Sequence, residues 1–249
     1  SYPSTATHAD LVYLPIWKCA TSTVTDALHG EERVLHGPHD DLASAEGKVV
    51  LENRSFFHLE GPISASAEYD RAVAGDAVMF TVVREPFTRF VSAYEPILPL
   101  KLCDGEPCAS TLDDMARVAQ LLHNDTRFRR GGYEHLLSQT YFLSATDARA
   151  QRLTDTSAFQ HVARVEQLTD DLSVITQAAG VHVRSSSVLL ASPDLKCQNC
   201  HPTDAIEKYK AALLQRPDAA CLVCDAYAQD YDCLGYNKPE ACLKCGAAN

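Results

Sequence analysis

Lys18 and the hydroxyl cluster Thr21, Ser22 and Thr23 are the first residues whose types and spacing could do chemistry. They lie in WKCATST, between the apolar run Leu11–Trp17 and a helix-like run, Ser22–Leu28, that Gly30 closes. A strand that turns into a helix presents unsatisfied backbone N–H groups at the helix N-terminus, and these, with the helix dipole, attract an anion. Lys18 adds a point charge and the hydroxyls add donors, so the stretch suits a phosphate. An ordinary strand end with a serine or threonine N-cap fits this stretch equally well when it is taken alone. The second group lies in TVVREPFTRFVSAY, residues 81–94. There an apolar strand runs straight into Arg84, Pro86 opens a helix, and Ser92 follows two turns later. Open α/β sheets bind ligands at the carboxyl ends of their strands, and the planar fork of an arginine matches a phosphate. The competing reading of Arg84 is a surface ion pair with Glu85 or Glu95.

These residues need a scaffold that ends strands at one edge. Leu11–Trp17 reads as a buried strand, Lys48–Leu51 and Ser55–His58 as further strands, and Ala77–Val83 (AVMFTVV) as the centre of a parallel sheet, because it is nearly continuous apolar sequence. Pro86 sits where a helix tolerates proline. Phe87, Phe90, Val91 and Tyr94 then repeat at helical spacing as one apolar face. Helices are expected over 63–73, 112–123, 134–143 and 168–179, with a strand near 161–165. The result is an α/β fold: a P-loop-like central parallel sheet flanked by helices, with a cysteine-rich helical C-terminal part. One domain is expected over 1–249, with a core over 1–190 and a subregion over 191–249 that holds seven of the ten cysteines.

The totals narrow the function classes. A chain of 249 residues with 46% hydrophobic content can bury a sizeable core. The formal net charge of −11 argues against nucleic acid, which needs a basic surface, and against a densely anionic polymer as acceptor. No apolar run reaches the length of a membrane span. The N-terminal SYPSTATHAD has no signal-peptide core, so the chain is expected to be a mature or truncated form, with membrane attachment only through an N-terminal anchor outside it. Ten cysteines suggest an oxidising compartment, and the sequons at Asn53 and Asn124 agree with it.

Taken together, the Lys18 loop and VVREPFTRFVSAY resemble the sulfotransferases that use 3′-phosphoadenosine 5′-phosphosulfate (PAPS). The likeness is to the Golgi carbohydrate type, such as the heparan sulfate 2-O-sulfotransferase and chondroitin sulfotransferases. FQHVARVEQLTDDL, residues 159–172, and AYAQDYDCLGY, residues 226–236, are similar to C-terminal signatures of that family. The resemblance implies that Lys18, Cys19, Ala20, Thr21, Ser22 and Thr23 form the loop for the 5′-phosphosulfate. It implies that Arg84 and Ser92 take the 3′-phosphate, and that adenosine 3′,5′-bisphosphate is the released product. The family places proline directly before the lysine; this chain has Trp17 there and Pro15 two residues earlier. The implied localisation is the Golgi lumen or secretory pathway, and the implied acceptor a glycan or a small hydroxylated molecule.

Sulfuryl transfer needs in-line geometry, neutralisation of charge on the leaving oxygen and a base for the acceptor hydroxyl. Lys18 is the candidate for the leaving phosphate. His58, at a strand end after the apolar Ser55–Phe57, is the candidate base. Glu60 is a second base or an orienter of His58, and His135 is the runner-up. His36 and His39, in a Gly/Pro-containing loop, read as solvated. A kinase-like nucleotide protein is the rival enzyme class, but no GxxxxGK[ST] occurs and nothing obvious would hold a metal. A non-catalytic, cysteine-stapled binding domain with a degenerate donor site is the other rival. Among the cysteines, CDGEPC (103–108) suggests a local disulfide. The pairs Cys197/Cys200, Cys221/Cys224 and Cys242/Cys245 fit either disulfides or zinc, with disulfides preferred in a secretory protein, while Cys19 is expected to be a thiol.

Overall fold

The computed structural model describes residues 10–14, 16, 19–20, 23–24, 48–51, 54–58, 74, 77–94, 110–124, 134–143, 159–179 and 203–245. They fall into two compact units, one drawn from Ser1–Val83 and Leu143–Gln198, the other from Arg84–Phe142 and Asn199–Asn249. Element labels below number the described elements in chain order.

The first unit is a five-stranded sheet of β1 (Asp10–Leu14), β2 (Lys48–Leu51), β3 (Arg54–His58), β4 (Ala77–Val83) and β5 (Phe159–Arg164), in the order β2-β3-β1-β4-β5. β1 pairs parallel with β3 and β4, and β4 pairs parallel with β5; β2 is an antiparallel edge strand on β3. The sheet is therefore mixed rather than purely parallel. β4 is buried from Met79 to Val83, which explains its unbroken apolar sequence. Beside it, Tyr13 stacks on Phe80 with ring centroids 4.9 Å apart. At β5 the register with β4 shifts between Met79 and Phe80, and the Gln160 side chain accepts the Met79 N–H at 2.6 Å. Helix α4 (Leu168–Ala178) buries Leu168, Leu172 and Ile175, one stripe at i, i+4 and i+7, and packs on β4 and β5. The Arg164 N–H donates to Asp171 Oδ2 at 2.7 Å, tying the end of β5 to that helix.

The second unit is helical. Helix α1 (Pro86–Tyr94) is buried along its whole length, not only on the face of Phe87, Phe90, Val91 and Tyr94. It packs against α2 (Thr111–Asn124), α5 (Thr203–Leu214) and α6 (Pro217–Ala226). Met115, Val118, Ala119, Leu213, Val223 and Tyr227 share its core, and burying each large apolar side chain contributes about 1.5–3 kcal/mol. Ser110 caps α2, accepting the Asp113 N–H at 3.2 Å while its hydroxyl donates to Asp113 Oδ2 at 2.7 Å. Pro217 opens α6, and α7 (Ala228–Leu234) ends at Gly235, whose φ of 68° suits a residue without Cβ.

The helix expected over 134–143 is two pieces, a 3₁₀ turn at Glu134–Leu136 and α3 (Gln139–Leu143). Distant side chains take the backbone groups between them. The Tyr227 hydroxyl donates to the Leu136 carbonyl at 2.7 Å, Arg89 Nη1 donates to the Leu137 carbonyl at 2.6 Å, and Asp230 caps α3.

The C-terminal cysteines form disulfides rather than a zinc site where they are described. Cys221–Cys245 and Cys224–Cys242, each with Cα atoms 5.4 Å apart, staple α6 to α8 (Glu240–Leu243) and the residues after it. Each C-x-x-C spacing puts two sulfurs on one helix face, so antiparallel segments form two bridges side by side. Among the described residues no group of His, Cys, Asp and Glu could hold a metal. Cys19 is a buried thiol, and Cys233 is an exposed one pushed above its ordinary pKa by partial burial and by Asp232 and Asp230. Cys103, Cys108, Cys197 and Cys200 lie outside the described residues, as does the helix expected over 63–73.

Candidate functional site

In the sheet, the parallel strands bring their carboxyl ends to one edge. Tyr13 is level with His58, Leu14 with Thr81, and Val83 with Arg164. The end of β1 is pinned there, because the Thr81 hydroxyl donates to the Leu14 carbonyl at 2.8 Å in a buried setting. β1 stops at Leu14, three residues short of the expected Trp17. Ile16 and Cys19 are wholly buried, and the Cys19 N–H closes a turn on the Ile16 carbonyl at 3.1 Å.

Ala20 follows with φ of 59°, in the left-handed region. A residue with a Cβ pays about 1–2 kcal/mol for that conformation, which a small side chain such as alanine tolerates better than a bulky one. The Val24 N–H then donates to the Ala20 carbonyl at 2.9 Å, which starts a helical turn, with Thr23 half-buried and Val24 buried. Lys18, Thr21, Ser22 and Glu60 lie outside the described residues. His58 is the last residue of β3, at the carboxyl edge.

In the helical unit, Arg84 is half-buried, one residue past the end of β4 in the chain. Its backbone is held by one side chain: the Arg84 N–H donates to Gln139 Oε1 at 2.7 Å, and Gln139 Nε2 donates to the Arg84 carbonyl at 2.8 Å. Glu85 is the N-cap of α1. Its carboxylate accepts the N–H groups of Phe87 and Thr88 at 3.1 and 2.8 Å, the Thr88 hydroxyl, Lys210 Nζ at 2.7 Å and the Tyr231 hydroxyl at 2.9 Å. Burial pushes the Glu85 carboxyl up, but the bonds from Lys210 and Thr88 and the Lys210 charge outweigh it and hold it below the usual range. Burial and the neighbouring Glu85 push the Tyr231 hydroxyl well up, so it stays a proton donor.

The N-terminus of α1 is thus already occupied by a carboxylate of the chain. An anion bound by Arg84 would meet side chains rather than the dipole of this helix. Ser92 is nearly buried and lies four residues past Thr88, on the same helix face. His135, in the 3₁₀ turn, is half-buried.

Sequence reasoning weighed Glu85 only as a partner for Arg84; the structure pairs it with Lys210 at 2.7 Å. Gln139, Asp230 and Lys210 were not singled out at all. The one signal available was that Asp230 and Tyr231 lie inside AYAQDYDCLGY.

A family model described as the Sulfotransferase family matches residues 4–237. No curated protein and no solved structure matches the chain.

Proposed function

We propose that this chain, which belongs to the sulfotransferase family, transfers a sulfuryl group from PAPS to a hydroxyl of a carbohydrate or small hydroxylated acceptor by in-line displacement. The observation that carries the reading is the position of Arg84. It follows Val83, the last residue of the buried strand β4, directly in the chain, inside a family match that covers most of the chain.

The turn after β1 leads into a helical turn at Ala20, and the first N–H groups of a helical turn have no partner within it, which suits an anion. When bound, PAPS supplies an activated sulfuryl group on a phosphate leaving group. In this assignment Lys18 and the residues Cys19 to Thr23 bind the 5′-phosphosulfate, and Lys18 neutralises charge on the leaving oxygen. Arg84 and Ser92 bind the 3′-phosphate, the guanidinium as a two-pronged donor and the hydroxyl as a single one. His58 takes the acceptor proton, with Glu60 as its orienter or substitute. The acidic balance of the chain favours a neutral glycan or a small hydroxylated acceptor over a heavily sulfated polymer. The two C-terminal disulfides support a place in the Golgi lumen or secretory pathway.

The test is transfer of label from sulfur-labelled PAPS to a panel of neutral glycans and small alcohols. Labelled product with release of adenosine 3′,5′-bisphosphate, absent in Lys18→Ala, supports the reading. Folded protein that gives no product with any acceptor and does not cleave the donor speaks against it.

A further inference from the structure

The backbone of Arg84 is held on both sides by one side chain. Gln139 clamps both backbone groups of that residue with one amide, accepting the Arg84 N–H and donating to the Arg84 carbonyl, which belong to successive peptide groups. Two bonds from one planar group fix the plane of the residue and hence the direction in which the Arg84 side chain leaves. Gln139 is in turn fixed. It is wholly buried, its own N–H donates to Asp230 Oδ2 at 2.8 Å, and Nε2 lies 3.4 Å from the same oxygen. The other Asp230 oxygen accepts the Thr140 N–H and hydroxyl, both at 2.9 Å.

The amide has only one workable orientation. Turned over, Nε2 would face the Arg84 N–H, and Oε1 would face both the Arg84 carbonyl and the Asp230 carboxylate. Glu85, the next residue, is anchored by Lys210 and by Tyr231, the neighbour of Asp230 on α7. Two adjacent residues of α7 thus serve the start of the Arg84 segment, Tyr231 by bonding Glu85 directly and Asp230 through Gln139.

We propose that Gln139 is a positioning residue for Arg84, oriented by Asp230, and that it sets the enzyme's selectivity for nucleotides carrying a 3′-phosphate. This rests on the assignment of Arg84 to that phosphate. Gln139 does not touch the ligand; it fixes the origin of the guanidinium that does, so that less freedom is lost on binding.

The experiment compares affinities for adenosine 3′,5′-bisphosphate and adenosine 5′-monophosphate in wild type, Gln139→Met, Arg84→Ala and the double variant, with folding monitored by circular dichroism. Gln139→Met keeps the length of the side chain and removes both bonds. It is expected to weaken bisphosphate binding roughly 10- to 100-fold, as misplacement of a positioned group does. It should leave monophosphate binding unchanged and add nothing further in the Arg84→Ala background. Gln139→Glu is the second variant. Ionised, its carboxylate opposes the Arg84 carbonyl and Asp230; protonated, it restores the donor. Its selectivity, relative to wild type at the same pH, should therefore rise as pH falls.

A folded Gln139→Met protein that keeps its selectivity while Arg84→Ala loses it overturns the inference and leaves the Arg84 assignment standing. Equal weakening toward both nucleotides also overturns it, because that is loss of structure rather than of positioning. Selectivity retained in Arg84→Ala overturns the assignment itself, and the inference with it.

Discussion

Glu85→Ala should cost the helical unit more stability than any single surface change. The carboxylate is 17% exposed and its partner Lys210 21% exposed, so water does little to replace the pair. The substitution removes an N-cap, worth about 1 kcal/mol. It also leaves the Lys210 ammonium with only the Thr88 hydroxyl oxygen, 2.8 Å away, and takes away the Tyr231 hydroxyl's acceptor, so that each loses a charge-assisted bond of about 1.5–3 kcal/mol. These losses overlap, because all the donors share one carboxylate, and breaking a buried pair costs about 3–5 kcal/mol in total. The lower end applies to a pair that keeps some exposure, so the expected loss is about 3 kcal/mol. At roughly 2–4 °C per kcal/mol for a chain of this size, the melting temperature should fall by about 6–12 °C.

The pH dependence carries a sign. Glu85 is held below its ordinary value of 4.5 in the folded chain, so its stabilisation is present above that value and is lost as pH falls through the folded one. Urea unfolding of wild type and Glu85→Ala from pH 7 to pH 3 should therefore show two curves that converge on the acid side. A difference below about 0.5 kcal/mol at pH 7, the range of ordinary surface changes, or a difference that stays constant down to pH 3, would refute the reasoning.

Other expectations follow from the same groups. His58→Ala should lower turnover by about 10²–10⁴-fold, the usual contribution of a general base, with unchanged affinity for adenosine 3′,5′-bisphosphate; steady-state kinetics beside a binding titration separate the two, and a normal rate removes His58 from the mechanism. Lys18→Ala should abolish transfer while circular dichroism and melting stay near wild type; measurable turnover would take Lys18 out of the role assigned to it. Replacing both Cys224 and Cys242 by serine opens a cross-link between residues 18 apart in sequence. That should destabilise by about 2–4 kcal/mol in denaturant unfolding, and a variant as stable as wild type would mean that the remaining Cys221–Cys245 bridge suffices.

The parts of the fold that local chemistry decides were legible. β4 and α1 follow from an apolar run that only a buried strand tolerates and from a proline that only a first helical turn accepts; β4 has the expected limits and α1 the expected start. β2 and α2 lie within a residue of expectation for similar reasons. What was not legible depends on contacts across the chain. The break between Leu136 and Gln139 arises because Tyr227, Arg89 and Asp230 take the backbone groups that a continuous helix would have used, and two of these partners lie about 90 residues away. Periodicity cannot register such competition.

Cysteine spacing likewise allowed zinc or disulfides, and only the antiparallel approach of α6 and α8 decides between them. The left-handed Ala20 is invisible in composition, since any small residue reads alike there. Arg84 stood out in the sequence as a candidate phosphate ligand because a charged side chain at the end of a buried strand is costly unless it has a partner. The glutamine that holds it did not, because a buried glutamine in QTYFL reads as an ordinary helical residue.

The most direct test of the central claim is calorimetric titration of the folded protein with adenosine 3′,5′-bisphosphate, with ATP and adenosine 5′-monophosphate as controls. Tight binding of the bisphosphate, at least roughly tenfold weaker in Arg84→Ala as expected for loss of a bidentate phosphate contact, is the predicted result. Preference for ATP, or no binding of any of the three nucleotides, would contradict it.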